Sequence, residues 1–306
     1  MNQKPVLAIV GNCQARPLAQ TLSKLVDGGV EISTVAIVHL MKDAEASAHA
    51  EALARADWIL AQSVADGYPC RFVQTSALRE CHGARVLEWP NLFFGGYNPE
   101  LQYLRGPDRR PLPGPLGDYH NATFLEAWRR GLDVAGALRL NSDDAYNAAL
   151  YEGSAERALQ ELARREQATD VSVANWIRER VWKQRLFFTF NHPAQALIRE
   201  TALQLARRAS LPVRDPIPPT PDLAEPLGQY RLPMNPWVWR KHGSTLEERV
   251  DAAGVELLEV TPGRVLTGSR RSWTLDELVA AYFRVYDACQ DDLRVTSSSA
   301  RSVRRS

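Results

Sequence analysis

The chain has 306 residues, 45% hydrophobic and 24% charged, with a formal net charge of +1. That fits a soluble globular protein with one large domain or a core domain with additions, and it removes any global electrostatic case for nucleic acid or an anionic membrane. The N-terminal apolar run is too short for a signal peptide and no run approaches the roughly 18 apolar residues of a membrane span, so the expectation is a cytoplasmic protein.

In chain order, apolar runs predict strands at 6–10, 34–38, 57–61 and 85–89, with helical patterns at 14–26, 43–55 and 71–80 between them. Strand and helix in alternation point to a parallel sheet covered by helices. The stretch 105–118 is rich in Pro and Gly and reads as a loop. Helices are predicted at 121–131, 144–166, 169–183 and 194–208, and a short aromatic strand at 185–193 ends at Pro193. Residues 212–236 hold eight prolines and read as an extended crossing or linker. A last helix is expected at 273–289, followed by a disordered Ser- and Arg-rich tail. The expected division is an α/β core at 1–210, an extension packed on it at 211–295 and the tail at 296–306.

Cys13, Cys70, Cys81 and Cys289 form no CxxC pair, so neither a zinc site nor a redox motif is expected, and no metal. Cys13 differs from the others by position. Leu18, Leu22 and Leu25 share one helical face, and Pro17 suits a first turn, so the helix begins near Cys13 with Asn12 or Cys13 as its cap. A helix N-terminus favours an anion, and a thiol there is expected to have a depressed pKa. The same N–H groups, with the Asn12 amide, could hold an oxyanion. The bland alternative is a small residue in a tight turn. No GxGxxG or GxxxxGK[ST] is present, so dinucleotide and P-loop sites are poorly supported.

A cysteine nucleophile needs a base, usually His. His49 lies on a polar helix face, His82 in a turn and His242 in a basic segment, while His39 follows a strand and is ambiguous. His192, in "FFTFNHP", and His120, in "GDYHNATF", remain. Each is either a base or a hydrogen-bonded structural histidine.

The segments "IVGNCQA", "WPNLFFGGYNPE" (89–100), "DYHNATFLEAW" (118–128) and "LFFTFNHPAQ" (186–195) resemble, in the same order, the WcbI family of polysaccharide biosynthesis enzymes, over roughly residues 5–210. The resemblance implies an α/β core with much added helix and a coenzyme A-binding protein acting as an acetyltransferase on a sugar of a capsular or other surface polysaccharide. By motif, Cys13 falls on the family's NCQ cysteine and His192 on its NHP histidine. The glycines and Tyr97 of the second motif are expected to shape the pocket. The core is also distantly similar to SGNH hydrolases: a parallel-sheet, three-layer, flavodoxin-like arrangement in which cysteine here replaces serine and the C-terminal Asp-x-x-His is missing.

On that reading Cys13 and His192 are catalytic, with Asn12 and His120 as helpers. Coenzyme A would need cations for its phosphates and aromatic faces for adenine. The candidates are Gln14 and Arg16 beside the cysteine, Arg178, Arg180, Lys183 and Arg185, and Trp237, Trp239, Arg240 and Lys241. A solvated helix face is the plainer account of most of them. The alternatives to an acyltransferase are a thiol-dependent acyl hydrolase and a non-catalytic phosphate- or coenzyme A-binding protein.

Overall fold

The computed structural model describes residues 3–106, 110–216, 225–246, 251–290 and 293. The chain forms two compact units, one from Met1–Phe93, Arg157–Val181 and Asn191–Leu227, the other from Phe94–Glu156, Trp182–Phe190 and Gly228–Ser306.

The first unit is organised by four parallel strands: β1 (Val6–Gly11), β2 (Glu31–Ile37), β3 (Trp58–Gln62) and β4 (Val86–Trp89). Helices α1 (Ala15–Leu25), α2 (Ala46–Arg55) and α3 (Thr75–His82) connect them, so the expected α/β class holds. The strand order is β2-β1-β3-β4, every pair parallel. β1 is buried along its whole length. This explains its unbroken apolar run, since a central parallel strand is covered on both faces. Ala8 and Val10 join Leu53, Ile59 and Leu78 in one core, and the alternating Leu7 and Ile9 face the other way. Helix α1 packs on the helix Gln195–Arg208. Its Leu18 and Leu22 are fully buried, each worth about 1.5–3 kcal/mol. The chain runs outward from β1 to β2, then crosses back to β3. The order reverses beside β1, and such a switch point opens a crevice at the carboxyl ends of the strands.

In the second unit, a core of Phe124, Trp273, Tyr282 and Tyr286 joins the helices Ala122–Arg129, Val134–Ser142 and Leu275–Ala288 to an antiparallel hairpin, Ala252–Thr261 with Arg264–Trp273. The helix at Val134–Ser142 and the hairpin were not expected from sequence. The hairpin's signal is Pro262-Gly263 between two apolar-bearing runs, with Gly263 at φ +72°. The single helix expected at 144–166 is two, Asp144–Tyr151 and Ser154–Glu166, because Gly153 at φ +67° ends the first. The helix expected at 169–183 shrinks to Ala174–Arg180. The strand expected at 185–193 is two short pieces, Phe187–Thr189 and His192–Pro193. Of the proline-rich crossing, 217–224 lies outside the described residues, and Pro236 opens a helix ending at His242. The predicted disordered tail also lies outside them. No helix among the described residues is long and apolar enough to cross a membrane.

Candidate active site

β1 ends at Gly11 and α1 begins at Ala15. The three residues between make a tight turn held from two directions. The Asn12 N–H donates to Gln62 Oε1 at 2.9 Å. The Asn12 side-chain oxygen accepts from the Gln14 N–H at 2.9 Å, and its carbonyl accepts from the Ala15 N–H at 3.0 Å. Asn12 is therefore the residue that closes the turn, and its amide nitrogen reaches Asn91 Oδ1 at 3.4 Å. A Cβ at position 11 would lie 3.0 Å from the Trp89 ring, so glycine permits the strand to pass that indole.

The Cys13 thiol is half-buried, with its sulfur 3.9 Å from Asn12 Oδ1. Burial pushes its pKa up, and its own backbone N–H only partly offsets this. The expected depression is thus corrected: removing the thiolate from water outweighs the turn's donors.

Gln14, expected to touch a ligand, is fully buried and fully occupied. Its Nε2 donates to the carbonyls of Leu92 at 2.9 Å and Asn191 at 2.8 Å. Its Oε1 accepts from Gln62 Nε2 at 3.0 Å and from the Leu92 N–H at 3.3 Å. It ties the turn to the segment leading into His192 and has nothing left to offer a ligand.

A cavity of about 340 Å³ opens on this turn. Cys13, Arg16 and Gln20 form one wall, Ile37, His39 and Leu40 another, and Pro226 and Leu227 a third. Gly11 pairs with Ile37 in the sheet register. The carboxyl ends of β1 and β2 therefore lie side by side, with Cys13 and His39 each two residues past them. This is the crevice of the switch point. His192 is buried, and its ring hydrogen-bonds the backbone of Leu227, a residue of the third wall. Burial pushes its pKa down to about 4, so at neutral pH it is an uncharged imidazole. His39 is exposed and faces the cavity. Its signal in the sequence was its place just beyond a strand that neighbours β1, and only the strand order makes that place meaningful.

The remaining candidates are scattered. His120 is wholly buried in the second unit, with one ring nitrogen 3.3 Å from the Tyr286 hydroxyl and the other 2.8 Å from the Leu112 carbonyl. Burial lowers its pKa to about 4. It is a core histidine with both nitrogens engaged. Arg178 lies exposed on the first unit; on the second, Lys183 is exposed and Arg185 is half-buried. Arg185 stacks over Tyr97 at 5.2 Å and binds the Phe187 carbonyl at 3.1 Å. In the second unit Trp239 donates to the Leu246 carbonyl at 3.3 Å. Arg240 pairs with Asp144 at 2.7 Å and Lys241 with Glu152 at 3.3 Å. Tyr97 is buried, its hydroxyl donating to the Gln184 carbonyl at 3.2 Å. Among the candidate cofactor residues, Arg16 is the one that lines the Cys13 cavity.

No curated protein matches the chain. A solved structure of WcbI, described as a novel polysaccharide biosynthesis enzyme and as the native protein without a disulfide bond between coenzyme A and a cysteine, superimposes with a TM-score of 0.76. It shares 21% identity, over 96% of this chain and 93% of that one, which is a likeness of fold. The family model for the polysaccharide biosynthesis enzyme WcbI matches residues 6–214, a span that contains both the Cys13 turn and His192, and the chain belongs to that family.

Proposed function

We propose that the chain is a coenzyme A-dependent O-acyltransferase that moves an acyl group, in the first instance acetyl, to a sugar hydroxyl during polysaccharide biosynthesis. The observation that carries this reading is one cavity at the switch point shared by a thiol, Cys13, and a guanidinium, Arg16. Membership of the WcbI family supports it, as does the naming of coenzyme A with a cysteine in the related structure. At about 340 Å³ the cavity suits the thioester end of the cofactor, being near the small end of the about 300–1,000 Å³ of ligand sites. Arg16, which lines it, would pair with a phosphate of the cofactor.

In the reaction, the sugar oxygen bonds to the thioester carbonyl carbon and the C–S bond breaks. The hydroxyl proton goes to a neutral imidazole, His192 on the family motif, and coenzyme A leaves as the thiolate. Cys13 either accepts the acyl group or stays protonated beside the thioester, and the second course is favoured here because burial raises its pKa.

Calorimetric titration with coenzyme A tests the reading. Binding should be measurable and weaken with salt. Arg16→Ala should weaken coenzyme A about tenfold and leave pantetheine, which lacks the phosphates, unchanged. No binding by the unmodified chain overturns the transferase reading and leaves the thiol hydrolase. Equal losses for both ligands remove Arg16 from the phosphate.

A further inference from the structure

The second unit contains a cavity of about 260 Å³ that the reading of Cys13 does not use. Its polar edge is Glu100, Asn121, Asn141 and Asn235, and Phe124, Leu232 and Leu275 supply apolar surface. Two polar side chains here are almost wholly buried and incompletely bonded. Asn121 is 1% exposed. Its Oδ1 caps the following helix by accepting from the N–H groups of Thr123 and Phe124 at 2.9 and 3.1 Å. The cap turns the amide nitrogen the other way, where no partner meets it among the described residues. Glu100 is 2% exposed. Its Oε1 accepts from Asn98 Nδ2 at 3.3 Å, while Oε2 has no full hydrogen bond, and the neighbouring Tyr151 hydroxyl, itself unsatisfied, only weakly favours the carboxylate. Leu101 pairs with Asn121 across a short antiparallel ladder, so the two groups enter the same corner.

An unmet buried donor and an unmet buried acceptor each cost about 1–3 kcal/mol. A hydroxyl answers both, because it donates to a carboxyl oxygen and accepts from an amide. Apolar walls with a few convergent polar groups are the usual form of a small-molecule site, and this volume lies just below the usual range of about 300–1,000 Å³. Glu100 is the sole ionisable side chain lining the cavity among the described residues. Burial pushes its carboxyl up to about 7, so near neutral pH it is only partly ionised and a weak selector of cations. We propose that this cavity binds a small uncharged polyhydroxylated molecule, the size of one sugar ring, through Glu100 and Asn121. The proposal stands independently of the chemistry assigned to Cys13.

The test uses the full chain and saturation-transfer NMR with three probes, the methyl α-glycosides of glucose, mannose and galactose, and ethanolamine as a cationic control. At least one glycoside should bind in the millimolar range and ethanolamine should not. Asn121→Ser keeps a capping oxygen and removes the amide donor. Leu275→Trp fills the cavity from its apolar side and guards against a folding defect in the first variant. Both should weaken the glycoside about tenfold or more. Glu100→Gln should retain binding within about threefold and abolish its pH dependence near 7. Failure of every glycoside to bind overturns the proposal, as does glycoside binding that Leu275→Trp leaves untouched. Preference for ethanolamine, lost in Glu100→Gln, overturns the uncharged ligand.

Discussion

Replacing Gln14 by alanine removes two donated and two accepted hydrogen bonds at a site with no exposure to water. The carbonyls of Leu92 and Asn191, the Gln62 amide and the Leu92 N–H each lose a buried partner. At about 1–3 kcal/mol per orphaned group, and with water entering the vacated space to meet some of them, the expected loss is about 4 kcal/mol. That would be large for one substitution, and at about 2 °C per kcal/mol for a chain of this size it lowers Tm by ~8 °C. Gln14→Glu should do no better. It keeps the acceptor but sets an oxygen against two carbonyls that need a donor. Gln14→Met keeps the volume and isolates the hydrogen bonds from the cavity. Urea titration measures the loss, and the rate of Cys13 alkylation reports the neighbouring turn. A loss below about 1 kcal/mol for Gln14→Ala, with unchanged Cys13 reactivity, would refute the claim that this side chain holds the turn.

Cys13 should react more slowly than the exposed Cys81 with a small alkylating reagent at pH 7, because burial raises its pKa. Its rate should still be climbing where an ordinary thiol of pKa about 8.5 levels off, and a coincident titration would contradict the burial argument. His120 and His192, both lowered to about 4, bind fewer protons folded than unfolded. Their contribution to stability is therefore present above pH ~6.5 and lost as pH falls toward 4, up to about 3 kcal/mol each. Glu100, raised to about 7, has the opposite sign. Its contribution is present below the unfolded value of about 4.3 and is lost as pH rises through 7. Denaturant midpoints of Glu100→Gln against the parent, from pH 5 to 7, should therefore show the variant gaining relative stability. His192→Ala should cost ~10²–10⁴ in transfer rate with coenzyme A affinity retained. If His39→Ala shows that loss and His192→Ala does not, the base is the exposed histidine on the cavity wall.

Much of the first unit can be read along the chain because its signals are local. The apolar run of Val6–Val10, the Leu18–Leu22–Leu25 face and Gly11 before Cys13 state a buried strand, an amphipathic helix and a sharp turn between them. The motifs around Cys13 and His192 were likewise enough to indicate the family. The hairpin Ala252–Thr261 with Arg264–Trp273 was harder to see, because its exposed residues interrupt the alternation and Pro262-Gly263 is its main cue. The helix break at Gly153 shows the reverse error, where a helical pattern ran on through a residue whose φ ends it.

The thiol's protonation and the availability of each candidate side chain were decided elsewhere. The pKa of Cys13 is raised because the packed protein around it excludes water, and no spacing of residues records that. Gln14 reads like a ligand-binding neighbour of a cysteine, and becomes a buried clamp because residues 62, 92 and 191 converge on it. His120 and His192 look alike in sequence, each before a helix. The fold puts one among Tyr282 and Tyr286 and the other behind a wall of the Cys13 cavity. Sequence by itself determined the strand–turn–helix that presents Cys13 and the family to which the chain belongs. Only the tertiary structure decided which polar groups stay open to a ligand, because a hydrogen bond or a lost solvation shell depends on partners brought from distant parts of the chain.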